Sequence, residues 1–514
     1  MTKIIFTPEK IAEMLGQFPP TPEQSAIIAA DHTRPSVVIA GAGSGKTETM
    51  STRLIYLIAN GLVQPDRVLG LTFTRKSAND LAIKVRKSLR KLEKSPEFQG
   101  ALRTQALTSL TIAGEPTIST YHAYANRVAS EHALRLGVEP PEHMLGEAAA
   151  WQQVERIVRN YDGDMSGISD SLSTVIDHVM NLVSQLQENE SQPGDLRKIA
   201  EEFTAIISNR TPYQGRDRMA PTRDAEKIQY DRVKLIPIIE EVIRFRKERS
   251  QFTFDDQMAL AAELATTFSD VGEIERAKFH VVLLDEYQDT SSSQLRLMRG
   301  LFGNGHSITA VGDPHQAIYT WRGASSDTIG AFTSDFPDTD GKPAQLFTLS
   351  TSWRNDLSIL DLANEIAAPL RAQSVDTPVL NAKPTAVTGV VSGGIYGSIR
   401  DEAVAIAEAI APFWSAEARA QIPELRQRAK SDPKVRFIES TAVVVRKRKQ
   451  IPEIEMALRA RGIPVEVVGI DGLIHVPEVA EIRAALTVIT NSDEGSSLIK
   501  LMSSGFWRIG IRDM

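Results

Sequence analysis

The feature that most constrains this chain is a glycine-rich segment that joins a run of β-branched residues to a helical stretch. Residues 36–40 predict a buried strand, and the pattern from about Lys46 to Ala59 predicts a helix. The junction fits the phosphate-binding pattern A/G-x-x-x-x-G-K-[S/T] and comprises Ala40, Gly41, Ala42, Gly43, Ser44, Gly45, Lys46 and Thr47. The sequence therefore predicts a nucleoside triphosphate site, in which Lys46 would reach the β- and γ-phosphates and the Thr47 hydroxyl would bind Mg²⁺.

A second motif places two carboxylates at the end of an apolar run. Residues 281–284 read Val-Val-Leu-Leu and are followed by Asp285 and Glu286. In a parallel sheet, this position is where a metal-holding aspartate is expected, so Asp285 would hold Mg²⁺ through its waters. Glu286 would orient and deprotonate the attacking water. Taken alone, the pair is equally compatible with a solvated acidic turn, but the phosphate-binding motif upstream favours a catalytic site.

Strand and helix patterns alternate along the chain and predict an α/β fold with a parallel sheet. Further strands are predicted at residues 67–73, 117–120, 280–285 and 307–312, and helices at residues 78–92 and from about Tyr121. Residues 131–249 are helical in pattern and predict a domain inserted into the first sheet domain. After a Pro/Asp/Gly-rich linker at residues 336–343, strands at residues 345–349, 390–396, 441–445 and 464–468 predict a second α/β unit, and residues 477–490 a helix.

Composition narrows the possible functions. The 514 residues suggest several domains, and the absence of cysteine excludes disulfides, zinc–thiolate sites and thiol nucleophiles. A net charge of −7 argues against nucleic-acid binding, yet basic residues concentrate at residues 75–94 and 446–449. Each cluster is equally compatible with a solvated surface or a phosphate track. The sequence has no apolar leader and no run long enough to cross a bilayer, which predicts a cytoplasmic protein without a membrane partner.

Six segments occur in the order found in one known family. They are residues 18–24 (Phe-Pro-Pro-Thr-Pro-Glu-Gln), 71–81 (starting Leu-Thr-Phe-Thr-Arg), 118–124 (Ile-Ser-Thr-Tyr-His-Ala-Tyr), 285–290 (Asp-Glu-Tyr-Gln-Asp-Thr), 311–323 (Val-Gly-Asp-Pro-His-Gln-Ala-Ile-Tyr-Thr-Trp-Arg-Gly) and 349–355 (Leu-Ser-Thr-Ser-Trp-Arg-Asn). Together with the phosphate-binding motif, the chain resembles superfamily 1 DNA helicases of the UvrD/Rep group. The resemblance implies a first RecA-like domain at residues 1–130 and 251–336, an inserted helical domain at 131–250, an incomplete second RecA-like domain at 344–472 and the start of another inserted helical domain at 473–514.

The resemblance also implies roles for individual residues. Gln24 would read the adenine edge, Trp353 would stack on the adenine, and Gln316 would couple the γ-phosphate to the DNA site. Arg354, from the second α/β unit, would act as an arginine finger reaching across the cleft. The residues implied to contact single-stranded DNA are Phe73, Thr74, His122, Tyr319 and Trp321. For Phe73 and Trp321 the alternative is core packing, and for His122 it is an ordinary position at a helix start.

By the same resemblance, the chain would be an ATP-dependent DNA helicase that uses ATP and Mg²⁺. It would move 3′-to-5′ on single-stranded DNA, or on a duplex with a 3′ single-stranded tail, in repair or recombination, with a repair or nuclease protein as a candidate partner. The family's fifth and sixth motifs are not found, so we expect a truncated chain that binds ATP and translocates poorly. Glu48 stands where many relatives carry a nucleotide-binding arginine, and Arg53 is a candidate substitute. The alternatives are a catalytically defective ATP- and DNA-binding module, a P-loop ATPase that remodels protein or RNA, and a subunit of a helicase–nuclease complex.

Overall fold

The computed structural model describes residues 4–103, 114–140, 143–169, 171–189, 191–209, 220–319, 326–372, 377–414, 427, 441–468, 477–490, 495–510 and 513. The chain divides into two compact units, Met1–Val391 and Ser392–Met514.

The strands are β1 Ser36–Ala40, β2 Val68–Thr72, β3 Thr117–Thr120, β4 His143–Met144, β5 Gln251–Phe252, β6 Val281–Leu284, β7 Ile308–Gly312, β8 Gln345–Leu349, β9 Thr351–Ser352 and β10 Asn381–Ala382. The helices of the first unit are α1 Pro8–Met14, α2 Pro22–Ile28, α3 Lys46–Ala59, α4 Arg75–Glu93, α5 Pro96–Arg103, α6 Tyr121–His132, α7 Glu147–Arg159, α8 Leu172–Glu188, α9 Asp195–Ser208, α10 Ala220–Lys234, α11 Ile236–Glu248, α12 Phe254–Thr267, α13 Ser269–Lys278, α14 Ser292–Phe302, α15 Ser326–Asp335 and α16 Leu357–Arg371. Those of the second unit are α17 Ile399–Ile410, α18 Ile451–Ala460, α19 Pro477–Thr490 and α20 Gly495–Met502.

A six-stranded parallel sheet in the order β3-β2-β6-β7-β1-β8 forms the centre of the first unit. Strands β1, β2, β6 and β7 are buried along their whole length, as expected for a parallel sheet covered by helices on both faces. Since all six strands run in one direction, the segments that follow β1 and β6 emerge at the same edge. The predicted α/β fold class is confirmed.

Each face of the sheet has its own hydrophobic core because successive side chains of a strand point to opposite faces. Val37 and Ile39 of β1 pack in one core, which includes residues of α6, α12 and α14. Val38 and Ala40 pack in the other, which includes residues of α3 and α4. Helix α3 is buried from Thr49 to Ala59, so the residues at its start are held rigidly at the sheet edge.

The helical stretch between β4 and β5 has a separate hydrophobic core. It is built from α7, α8, α9 and α11, with Val154, Ile176, Val183 and Ile239 fully or almost fully buried. Strands β4 and β5 pair in parallel and bring the two ends of this stretch together. The exact limits predicted for the inserted domain stay predictions.

The strand predicted at residues 345–349 is present as β8, but it lies in a different sheet from the one expected. Residues 345–349 were predicted to open the second α/β unit, but β8 pairs with β1 at the edge of the first sheet. The preceding residues 336–343 form a turn, in which Asp338 accepts hydrogen bonds from the backbone N–H groups of Asp340 and Lys342 at 3.0 and 2.8 Å. The two compact units separate after Val391, and the predicted limits of the second RecA-like domain stay predictions. A local pattern specifies that a segment is extended, but it does not specify the neighbour with which that segment pairs.

The predicted strands of the second unit were also wrong. Among the described residues, 390–396, 441–445 and 464–468 do not form strands. A strand exists only through hydrogen bonds to a neighbour, and these segments have no such ladder within the described chain. Helices α17 and α18 pack instead around Ala403, Ala407, Ile454 and Leu458. The predicted helix at residues 477–490 is present as α19.

None of the described helices is long and apolar enough to span a bilayer.

Candidate active site

The loop between β1 and α3 has a backbone that only glycine adopts readily. Gly43 and Gly45 have φ angles of 75° and 83°, in the left-handed region. Gly45 is the N-cap of α3 and provides no side-chain hydrogen bond to the first turn. The N–H groups at the start of this 14-residue helix are therefore available to an anion, and the helix dipole favours one there.

The surroundings of Lys46 indicate that this anion accepts hydrogen bonds from its ammonium group. Its side chain is only 12% exposed, and its Nζ atom has no hydrogen-bond partner among the described residues. The nearest carboxylate oxygen is Glu286 Oε2, at 3.5 Å, which is beyond ordinary hydrogen-bond length. A buried, unsatisfied ammonium group is costly. Phosphate oxygens at the loop would satisfy it, so the residues fit a bound triphosphate.

The two carboxylates after β6 differ in their surroundings. Asp285 is 8% exposed, and burial together with the charge of Glu286 raises its pKa to about 6. Its Oδ1 accepts a hydrogen bond from the Glu286 N–H at 3.0 Å. Glu286 has a φ of 50°, which is strained for a residue with a Cβ. Thr47 and Asp285 line the same small cavity, and their oxygens are the ligand type that Mg²⁺ prefers.

A chain of hydrogen bonds leads away from Glu286. The amide nitrogen of Gln288 donates to Glu286 Oε2 at 2.9 Å, and its oxygen accepts from the Asp313 N–H at 3.0 Å. Asp313 Oδ2 accepts from Gln316 Nε2 at 2.6 Å. Gln288 is 1% exposed, so its geometry is fixed by packing. The predicted catalytic residue Gln316 is thus connected to Glu286 through two residues that the sequence reasoning did not assign a role.

Two of the predicted DNA-contacting residues lie together. The rings of Phe73 and Tyr319 have centroids 4.5 Å apart and planes inclined by 32°. The backbone N–H of Ile318, next to Tyr319, donates to Asp289 Oδ1 at 3.2 Å. Since Asp289 also accepts from Gln288 at 3.3 Å, the aromatic pair and the acid pair share one network.

The other predicted DNA contacts are placed differently. Thr74 caps α4 by accepting a hydrogen bond from the Ser77 N–H at 3.0 Å. His122 lies in the first turn of α6, where its ring meets Phe254 edge-on at 6.3 Å. Trp321 lies outside the described residues.

The two residues predicted to contact adenine, Gln24 and Trp353, have these contacts near the loop. Gln24 Oε1 accepts from the Thr21 N–H at 3.0 Å, and a Cβ added to Gly45 would lie 3.2 Å from Gln24 Nε2. The Trp353 N–H donates to the Gly43 carbonyl at 2.8 Å, and its side chain is 42% exposed. Gln24 and Trp353 therefore lie beside the phosphate-binding loop.

Arg354 is also close to the loop, since a Cβ added to Gly43 would lie 2.8 Å from Arg354 Cβ. Arg354 follows β8 and belongs to the compact unit Met1–Val391, and its assignment to a second RecA-like domain stays a prediction. The sequence analysis assigned no role to Ser352. This residue is fully buried beside Gly43, and its hydroxyl has no hydrogen-bond partner among the described residues. Its position within the motif at residues 349–355 was the available signal.

Arg53 does not replace a nucleotide-binding arginine. It is 1% exposed, and burial lowers its pKa to about 10. Its guanidinium donates to the carbonyls of Ile27 at 2.7 Å and Ala30 at 3.0 Å, so it holds the end of α2. Glu48 accepts from Lys84 Nζ at 2.5 Å and joins α3 to α4.

A parallel α/β sheet with a phosphate-binding loop and an acid pair at one edge defines a P-loop nucleotide-binding protein. The model of the UvrD/REP helicase N-terminal domain matches residues 20–337, and that of the UvrD-like helicase C-terminal domain matches residues 347–514. The chain belongs to the UvrD/REP helicase family, and its fold is of the RecA-like type.

Curated relatives agree with this assignment. The chain is 24% identical to an ATP-dependent DNA helicase PcrA from Leuconostoc citreum over 475 residues, which are 91% of this chain and 52% of the relative. It is 24% identical to PcrA from Staphylococcus epidermidis over 469 residues, and 23% identical to PcrA from Staphylococcus aureus over 473 residues. These matches cover 91% of this chain and 54% and 53% of the relatives. The chain spans about half the length of the curated relatives it matches.

Proposed function

We propose that this chain is an ATP-driven DNA helicase or translocase whose ATP hydrolysis is stimulated by single-stranded DNA. The observation that carries the proposal is the Lys46 ammonium group, which has no hydrogen-bond partner among the described residues and lies 3.5 Å from Glu286. Hydrogen bonds through Gln288 and Asp289 connect Glu286 to the backbone beside the Phe73–Tyr319 aromatic pair. A simple nucleotide-binding domain has no need of that connection.

In the nucleotide site, we infer the role of each residue from its position relative to the phosphate-binding loop. Lys46 and the N–H groups at the start of α3 bind phosphate oxygens and stabilise the charge that develops during transfer. Mg²⁺, when bound, supplies charge neutralisation for the phosphates, and Thr47 and Asp285 would hold it. Glu286 is 37% exposed at its side chain, so it can accept the proton of an attacking water. Arg354, exposed beside the loop, is the second cation of the site.

Coupling between ATP and DNA would run through Gln288. A change in the charge on Glu286 alters the hydrogen bond from the Gln288 amide, which also holds Asp313 and Asp289. Asp313 positions Gln316, and Asp289 positions the backbone next to Tyr319. Nucleotide state would thereby be transmitted to the aromatic pair, and DNA binding at that pair to the nucleotide site.

The substrate of this proposal is single-stranded DNA, or a duplex with a 3′ single-stranded tail. Phe73 and Tyr319 are half-buried side by side, and aromatic faces bind bases of any sequence at about 1–3 kcal/mol per stack. Family membership alone supports three further parts of the proposal: a 3′-to-5′ direction, a role in repair or recombination, and a nuclease or repair partner.

The test measures ATP turnover with and without a single-stranded oligonucleotide, and the affinity for a fluorescent ATP analogue. We expect Lys46→Ala to lose nucleotide binding, and Glu286→Gln to retain it while turnover falls by about 10²–10⁴-fold. Unchanged nucleotide affinity in Lys46→Ala would contradict the assigned site. Turnover that single-stranded DNA does not stimulate would contradict the motor and favour an ATP- and DNA-binding module.

A further inference from the structure

A second charged surface lies on α4, outside the nucleotide site and the aromatic pair. Its residues line one shallow groove and define the basic face of α4, which comprises Arg86, Lys87, Arg90, Lys91 and Lys94 together with Ile83. The whole chain carries a net charge of −7, so this concentration opposes the average charge of the protein. Such a local excess attracts an anionic partner.

Most of this charge is not neutralised by the protein. Arg86 forms two hydrogen bonds of 2.8 Å with Glu115. Lys91 Nζ donates to the Leu15 carbonyl at 2.9 Å, which positions the ammonium group without cancelling its charge. The exposed side chains of Lys87, Arg90 and Lys94 form no ion pair within the described part of the chain. Glu93 and Glu115 are the acids beside the groove within the described ranges, and against the five basic residues they leave three positive charges in excess there.

The chemistry of the groove distinguishes two kinds of nucleic acid. Sites for single-stranded nucleic acid combine basic residues with aromatic side chains on which bases stack. Among the described residues that line this groove none is aromatic, and its apolar member, Ile83, is aliphatic and 50% exposed. A duplex keeps its bases stacked inside and presents phosphates, so a basic face without aromatic side chains suits a duplex backbone.

The position of the face agrees with a duplex that adjoins a bound single strand. Helix α4 begins directly after Thr74, which follows Phe73 of the aromatic pair. At about 1.5 Å per residue, Lys87 and Lys94 lie roughly 20 and 30 Å along the helix from Thr74. One turn of B-DNA spans about 34 Å, so a duplex that ends near the aromatic pair can reach the basic face within a single turn.

We propose that the basic face of α4 binds the phosphate backbone of duplex DNA without sequence preference. It would hold the duplex next to the single strand at Phe73 and Tyr319. The inference rests on the proposed function, since it assumes that the strand at the aromatic pair is DNA.

The test compares the full chain with Lys87→Gln/Arg90→Gln/Lys94→Gln. The matched control is Lys278→Gln/Arg299→Gln/Lys342→Gln, which removes three exposed basic charges spread over α13, α14 and the turn before β8. Binding of a labelled blunt duplex of about two helical turns and of a single-stranded oligonucleotide is measured by fluorescence anisotropy from about 50 to 200 mM salt. Thermal unfolding checks that each variant is folded.

We expect the α4 variant to bind duplex more weakly and with a smaller salt dependence. Each lost phosphate contact lowers the slope of log affinity against log salt by about 0.9, so three lower it by about 3. The loss of duplex affinity across this salt range would then be about 40-fold smaller than for the wild type. Single-strand affinity and DNA-stimulated ATP turnover should match the control.

Duplex affinity and slope equal to those of the control would overturn the inference. So would equal losses of duplex and single-strand affinity, which would make the face part of the single-strand path, or a wild type that binds no duplex. Failure of the proposed function is separate, because it appears as absent stimulation of ATP turnover in the wild type.

Discussion

At the scale of single residues, the candidate site contains groups whose placement reduces stability. Asp285 is a carboxylate at 8% exposure, and Lys46 is an ammonium group without a hydrogen-bond partner among the described residues. Burying charged groups without full compensation lowers the stability of the folded state. Such groups are expected where a ligand completes the site.

The first prediction concerns Asp285→Asn. Because burial raises the Asp285 pKa from 3.8 to about 6, the folded protein binds this proton more tightly than the unfolded chain does. Ionised Asp285 therefore destabilises the fold at pH 8, by up to roughly 3 kcal/mol, and less as the pH falls through 6 towards 4. We expect Asp285→Asn to raise the unfolding temperature without nucleotide at pH 8, to raise it less at pH 5, and to abolish ATP turnover. A thermal shift that is equal at both pH values would refute the buried charge as its cause.

The second prediction concerns Gly312. An alanine methyl there would collide with Gln288 Oε1 and lie 3.1 Å from the Gln288 backbone nitrogen. We expect Gly312→Ala to displace Gln288 and reduce DNA-stimulated turnover by about 10- to 100-fold, with nucleotide affinity nearly unchanged. Gly100→Ala is the control, since an added Cβ meets no atom within 4 Å there. Equal stimulation in both variants would argue against a coupling role for Gln288.

At the scale of elements, the site depends on what strand ends bring together. Phe73 follows β2 and Tyr319 follows β7, and these strands lie on either side of β6 in the sheet. The aromatic pair therefore spans the strand that delivers Asp285 and Glu286. A movement that separates the ends of β2, β6 and β7 would change the contact between the two rings and the position of the acid pair together.

The third prediction tests the aromatic pair. Replacing Phe73 and Tyr319 by alanine removes two stacking faces, each worth about 1–3 kcal/mol. Single-strand affinity should fall at least tenfold, while affinity for the ATP analogue without DNA stays within about threefold. Tyr230→Ala is the control, because Tyr230 is an aromatic side chain at 47% exposure on α10 of the same unit. If the control weakens single-strand binding as much as the double variant does, the pair is not the stacking site.

At the scale of the whole molecule, the described contacts of the nucleotide site fall within the first compact unit. Gln24, the loop, the acid pair and the segment with Trp353 and Arg354 all precede Val391. Leu380, whose side chain covers Gly41, also belongs to this unit. Nucleotide binding should therefore not depend on the second unit.

The fourth prediction follows from this division. A fragment of residues 1–391 should bind the ATP analogue with a Kd within about threefold of that of the full chain, measured by fluorescence titration. The same fragment carrying Lys46→Ala is its control and should not bind. A folded fragment, verified by circular dichroism, that binds more than tenfold more weakly would place part of the nucleotide site in the second unit.

The sequence by itself determined the phosphate-binding loop, the acid pair and most elements of the first sheet. These features are local: a loop motif is contiguous, and an apolar run ending in acids keeps its pattern wherever it folds. The helix predicted from about Lys46 to Ala59 has those bounds in the structure.

Only the tertiary structure decided which segments became neighbours. Four contacts join residues that are distant in sequence: the pairing of β8 with β1, the placement of Arg354 beside the loop, the burial of Arg53 and the link through Gln288. So does the raised pKa of Asp285, which burial produces. A sequence pattern indicates the conformation that a segment prefers locally. Strand pairing, burial and hydrogen bonding depend instead on the partner that the fold brings to that segment.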